Sequence, residues 1–114
     1  MKDIDEIMQL YDSFIQIVRQ LSASAEEQIK MLRGFVVTDE IALDFSDNGI
    51  PYAQELLEYG WITQEQFDMA QNIDKKLDEM SQKKELWSDA ALISSIEWDT
   101  CRKCGMDLLH TLEN

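Results

Sequence analysis

Between residues 4 and 21 the apolar side chains Ile4, Ile7, Met8, Tyr11, Phe14, Ile15, Val18 and Leu21 recur at steps of three and four. That spacing lines one face of an α-helix. A strand would send alternate residues to opposite sides and could not bury such a set. Leu10 and Ile17 widen the stripe, so this helix is expected to be covered on two sides, and the rest of the chain must supply the cover. With one Pro and four Gly, little material is left for long linkers. Gly34-Phe35-Val36-Val37-Thr38 is the one run that reads as a short extended segment.

Helix signals fill the remainder. Ser24 and Glu27 have capping-box spacing for a short second helix, and Gly34 suits the left-handed position after its end. Thr38 or Asp39 is placed to cap a third helix through Ile41, Ala42, Leu43 and Phe45. Asp47-Asn48-Gly49 then reads as a turn, and Pro51 as the first turn of a fourth helix closing near Tyr59-Gly60. Thr63 and Gln66 form a further capping box, ahead of a helix that buries Phe67, Ala70, Ile73, Leu77 and Met80. Ser81-Gln82-Lys83-Lys84 is a polar connector. Ser88 caps a short helix, and Ser95 caps the last, which carries Trp98, Cys101, Leu108 and Leu112. Trp87, just before Ser88, reads as a staple for that helix start. The expectation is an all-α protein: one compact domain over residues 1–114, a bundle of six or seven helices, several of them short. A domain typically holds about 100–150 residues, enough to bury a core without staples.

Charge is where the sequence speaks about function. The formal net charge is −13, while 45% hydrophobic content argues against disorder. Such acidity disfavours nucleic-acid backbones and anionic membrane surfaces. No apolar run approaches the roughly 20 residues of a membrane span. Met1-Lys2-Asp3-Ile4-Asp5-Glu6 lacks a signal-peptide layout, and with only two Cys the expectation is a reduced, cytoplasmic protein. The charge is also unevenly spread. Residues 39–74 contain nine acids and no Lys or Arg, a net −9, against −2 on either side. The aromatic residues in that block are Phe45, Tyr52, Tyr59, Trp61 and Phe67. A one-sign surface steers a partner of opposite sign, and Tyr and Trp are common interface anchors. A solvated surface that only aids solubility is the plain alternative.

Motifs for chemistry are weak by comparison. Asp44, Ser46, Asn48, Gly49 and Glu55 fit the oxygen-ligand spacing of one EF-hand calcium loop. Pro51 stands where such loops place a residue with a free N–H, and no second loop appears to pair with it. Cys101-Arg102-Lys103-Cys104 has the form of a half zinc site or a redox pair. His110 lies six residues on, about 600° round the same helix, and no βαβ unit surrounds the pair. With a single His there is no nucleophile–base arrangement, and carboxylates are too abundant for any pair to stand out. Neither an enzyme activity nor a cofactor or metal is expected.

A small, acidic, all-α chain whose central acids accompany Tyr52, Tyr59 and Trp61 resembles the bacterial immunity proteins of toxin–immunity systems. The segment Leu86-Trp87-Ser88-Asp89-Ala90-Ala91-Leu92 through Glu97-Trp98-Asp99 adds to that likeness. The resemblance implies binding to a cognate basic toxin, such as a nuclease, whose substrate surface is blocked. The expected partner-binding residues are Asp39, Glu40, Asp44, Asp47, Tyr52, Glu55, Glu58, Tyr59 and Trp61. An acidic helical adaptor for another basic protein would use the same surface. A calcium module through Asp44–Glu55 is the third reading.

Overall fold

The computed structural model describes residues 1–113, whose regular structure is all helix, with no strand among them. Helix α1 (Ile4–Ser22) is followed by α2 (Ala25–Met31) and α3 (Val37–Leu43). A π-helical segment (Asp44–Gly49) leads into α4 (Ile50–Glu58). Then come α5 (Gln64–Met80), a 3-10 turn (Lys84–Leu86), α6 (Asp89–Ser94) and α7 (Ile96–Glu113). The expected all-α bundle is what forms.

Local chemistry starts these helices largely where the sequence indicates. Asp3 caps α1 by accepting from the Glu6 N–H, and Ser24 caps α2 through the Glu27 N–H. Thr63 and Gln66 form a complete capping box on α5. Ser88 accepts from Ala91 N–H and Ser95 from Trp98 N–H, starting α6 and α7. Each such cap is worth about 1 kcal/mol. Among the described residues Gly34 and Gly60 are the two with positive φ, at +94° and +75°. Both follow helix ends, where the left-handed conformation turns the chain.

The segment 37–58 departs from expectation. No extended run forms at 34–38: Val36 alone is extended, and Val37 opens α3. Neither Thr38 nor Asp39 is the cap, since Val36 takes that place and offers no side-chain hydrogen bond. Thr38 lies inside the first turn, buried, its hydroxyl without a partner among the described residues. Asp47-Asn48-Gly49 makes no turn. Leu43, Gly49 and Ile50 all keep right-handed helical geometry, so α3, the π segment and α4 run as one rod. At about 1.5 Å per residue the rod is roughly 33 Å long. Local turn preference loses because Phe45 is fully buried and a Cβ on Gly49 would lie 3.2 Å from the Ile17 side chain of α1. The rod also has to absorb Pro51, whose ring would crowd the carbonyl four residues back in an α-helix. A widened π turn just before it, closed by the Ile50 N–H on the Phe45 carbonyl, relieves that crowding. The segment Asp44–Glu55 follows this helical path and does not take the looped conformation of an EF-hand.

Four long elements then form an up-down-up-down bundle. Gln20 meets Asp44 and Lys2 meets Glu55, so α1 and the rod are antiparallel. Ser46 meets Asp74, setting the rod against α5. Gln66 meets Thr111 and Met80 meets Cys101, setting α5 against α7. Tyr11 donates to the Leu112 carbonyl, and Gly105 faces Leu21 and Ser22, which closes the ring. The rod passes to α5 through a short connection, whereas α2 lies in the connection from α1 to the rod and α6 in that from α5 to α7. Helices α2 and α6 cover the end where α1 and α5 finish, α6 touching α2, α3 and α7.

One core joins all four elements. Phe14, Val18, Ile41, Phe45, Leu56, Ile73, Leu92, Trp98 and Leu108 are essentially inaccessible to solvent. Each large apolar side chain buried this way contributes about 1.5–3 kcal/mol. From α1, Ile7, Phe14, Ile15, Val18 and Leu21 are buried, while Ile4 and Met8, expected in the stripe, are exposed. Buried Gln28 donates to the carbonyls of Gln20 and Leu21 at 3.0 and 3.1 Å, finishing the end of α1. Its own carbonyl accepts from Arg102 at 3.3 Å, which brings a cation close to the negative end of the α1 dipole.

Candidate protein-binding groove

The central acids lie on the rod and on α5, and those two elements do not stay together along their length. Near Gly60 a tight connection holds α4 against α5, with Ala53, Leu56, Ile62, Phe67 and Ala70 buried. Toward the other end α5 packs against α7 and not closely against α3. The two walls separate there and leave a groove of about 760 Å³. The rod contributes Asp39, Ala42, Leu43, Ser46 and Ile50 to it. The first four follow steps of three and four, so they share one face. Helix α5 contributes Gln71, Asp74, Lys75, Leu77, Asp78 and Ser81, and Trp87 closes the end.

The groove has an apolar floor and an acidic rim. Leu77 is buried beneath it, Ile50 is half-buried, and Leu43 stands 53% exposed on the wall. The Ser46 hydroxyl donates to Asp74 Oδ1 at 2.6 Å and ties the walls together midway. Asp39 faces the groove from the rod, and Asp74 and Asp78 face it from α5, against one cation, Lys75. Trp87 is oriented by its indole N–H, which donates to the Met80 carbonyl at 3.0 Å, and by an edge-on contact with buried Trp98 at 5.4 Å. Trp87 stands just before the Ser88 cap and makes this edge-on contact with α7. With its polar atom already bonded, the rest of the Trp87 ring offers apolar surface.

Of the nine residues singled out from the sequence, only Asp39 lines this groove. Asp44 turns toward α1 and accepts from Gln20 at 2.9 Å. Glu55 pairs with Lys2 at 2.6 Å, and the Tyr59 hydroxyl accepts from the Lys2 N–H at 3.1 Å, at the opposite end of the rod. The hydrogen bond from Lys2 to Glu55 holds the lysine pKa above its ordinary value. Trp61, 36% exposed, packs on Tyr11 at 5.9 Å. Tyr52 and Glu40 are half-buried, and Asp47 and Glu58 project into solvent. The nine therefore encircle the rod and do not converge.

Asp74, Lys75, Asp78, Leu43, Ile50 and Trp87 were not singled out. Gln71, Asp74 and Asp78 do recur at helical spacing, a signal legible in the sequence. On the opposing wall, Ile50 joins Asp39–Ser46 because 47–49 stay helical.

The cysteines stand apart from the groove. Cys101 is fully buried beside Met80, and Cys104 is half-buried. Burial, with a smaller contribution from Cys104, pushes the Cys101 thiol up to about 11. That thiol packs in the core as a small hydrophobe. No group of three or more His, Cys, Asp or Glu side chains converges among the described residues. No described helix is long and apolar enough to cross a membrane.

The structure thus defines an antiparallel helical bundle with an acidic-rimmed groove. No protein-family model, curated protein or solved structure matches the chain.

Proposed function

We propose that this protein binds a basic protein partner and acts as an inhibitor of the immunity type, neutralising a cognate toxin such as a nuclease. The supporting observation is the run of 36 residues without Lys or Arg that carries a net −9. Its acids lie on the rod and α5, and two of them, Asp39 and Asp74, face each other across the apolar groove together with Asp78. A nuclease holds phosphate with basic groups, and carboxylates facing those groups compete with the nucleic acid for them. Long-range attraction speeds encounter, and short-range apolar contacts slow release.

The decisive experiment is co-expression with the protein encoded immediately upstream. That protein should arrest growth alone and be silenced by this chain through a stoichiometric complex. An upstream product that is harmless, or that forms no complex, removes the immunity reading. The carboxylates Asp39, Asp47 and Glu58 are exposed on the rod and available to steer. Converting all three to amides should slow association about tenfold at low salt and leave dissociation nearly unchanged.

A further inference from the structure

Resting on that reading, we infer that the groove between α3 and α5 is the docking site for one amphipathic, basic helix of the partner. Its apolar stripe would lie on Leu43, Ile50 and Trp87, and its flanking Lys or Arg side chains would face Asp39, Asp74 and Asp78.

Length, chemistry and charge support this occupant. From Gln71 on α5 to Ser81 just past its end the wall rises through ten residue steps, about 15 Å, matching two to three turns of a docked helix. Helix-in-groove recognition uses anchors at positions i, i+3 or i+4 and i+7, which fit a trough with an apolar floor. The acids stand on both walls, so cations on either flank of an incoming helix find a carboxylate. A guanidinium placed over the face of the half-exposed Trp87 ring would gain a cation–π contact. A second copy of this chain, at net −13, brings the wrong sign, and so does a nucleic acid.

The test uses the full chain and two synthetic peptides of about 14 residues built from Lys and Leu. One places Leu at helical spacing. The other is a scrambled isomer of identical charge without a stripe. Binding is followed by amide chemical shifts and by titration at low and moderate salt.

The striped peptide should bind at least about tenfold tighter than its isomer, with shift changes along 39–50 and 71–87. Leu43→Gln should weaken it about tenfold, as should the pair Asp39→Asn and Asp78→Asn at low salt, while Asp107→Asn on α7 should not. These side chains are exposed or half-exposed, so the variants should fold.

Striped and scrambled peptides binding alike, or shifts mapping to the Glu55–Tyr59–Trp61 end, would overturn the groove assignment and leave the basic-partner reading standing. No binding of either peptide, together with no complex with the upstream product, would overturn both. Concentration-dependent dimerisation abolished by Leu43→Gln would assign the groove to a second copy and overturn the proposal.

Discussion

Two helix pairs in this bundle face each other on opposite terms. Along α1 and α7 the backbones come so close that a Cβ on Gly105 would lie 2.5 Å from Ser22 Oγ and 3.2 Å from Leu21. Tyr11 and Arg19 then tie α1 to Leu112 and Glu113 near the end of α7. Along α3 and α5 the walls stand apart, joined midway by Ser46 and Asp74 and otherwise open to solvent. The two seams share one core. The closed one shows what a bundle needs for stability, and the open one has surface left over for a partner.

Trp98 is where the contrast can be broken most severely. It is fully buried on α7, donates to the Leu86 carbonyl at 2.7 Å, and supports Trp87 at the groove. Trp98→Ala should cost about 3–5 kcal/mol in urea unfolding and increase the solvent exposure of Trp87, seen as red-shifted emission. A loss below about 1 kcal/mol would show that the closed seam does not support the groove wall.

Gly105→Val should cost about 1–3 kcal/mol, because the added methyls meet α1 where it cannot retreat. An unchanged midpoint would show that the α1–α7 seam is looser than these distances state. Gln28→Leu should cost about 1–3 kcal/mol by leaving the Gln20 and Leu21 carbonyls and the Arg102 guanidinium unpaired. A double-mutant cycle with Arg102→Met should show coupling between the two.

Next in size is a pH effect. The folded Cys101 thiol keeps its proton up to about 11, whereas an unfolded one loses it near 9.0. Its contribution to stability is thus whole below pH 9 and fades as pH rises from 9 to 11. Tyr11, also raised by burial, adds to the decline above pH 10. Cys101→Ala should flatten the curve between pH 9 and 10, and alkylation at pH 8 should label Cys104 before Cys101.

The smallest effect belongs to the open seam. Leu43→Gln should shift stability by less than about 0.5 kcal/mol, since the side chain is half in water already. A larger loss would mean that Leu43 serves the core.

What could be read in advance divides along similar lines. Ser24, Thr63–Gln66, Ser88 and Ser95 announce helix starts because a cap is a bond between residues three apart. Gly34 and Gly60 mark helix ends for an equally local reason, the lack of a Cβ at positive φ. The buried faces of α1 and α5 follow from periodicity, apart from the exposed Ile4 and Met8 at the free end of α1. The acidic block was legible as charge, and the aromatic residues within it were legible as anchors. The shape of the surface was not. Asp44 and Glu55 look like free carboxylates in the sequence, yet Gln20 and Lys2, distant in the chain, engage them.

The amino-acid sequence alone determined the helical class, most helix boundaries, and the concentration of net negative charge in residues 39–74. Those properties depend on neighbours within a turn or two and on a simple count of ionisable groups. Only the tertiary structure decided that 37–58 is one rod, because Ile17 against Gly49 and the burial of Phe45 outweigh a local Asp-Asn-Gly turn preference. It likewise decided that the rod and α5 part to leave a groove. That opening depends on which helix each wall packs against, a balance of contacts between residues far apart in the chain.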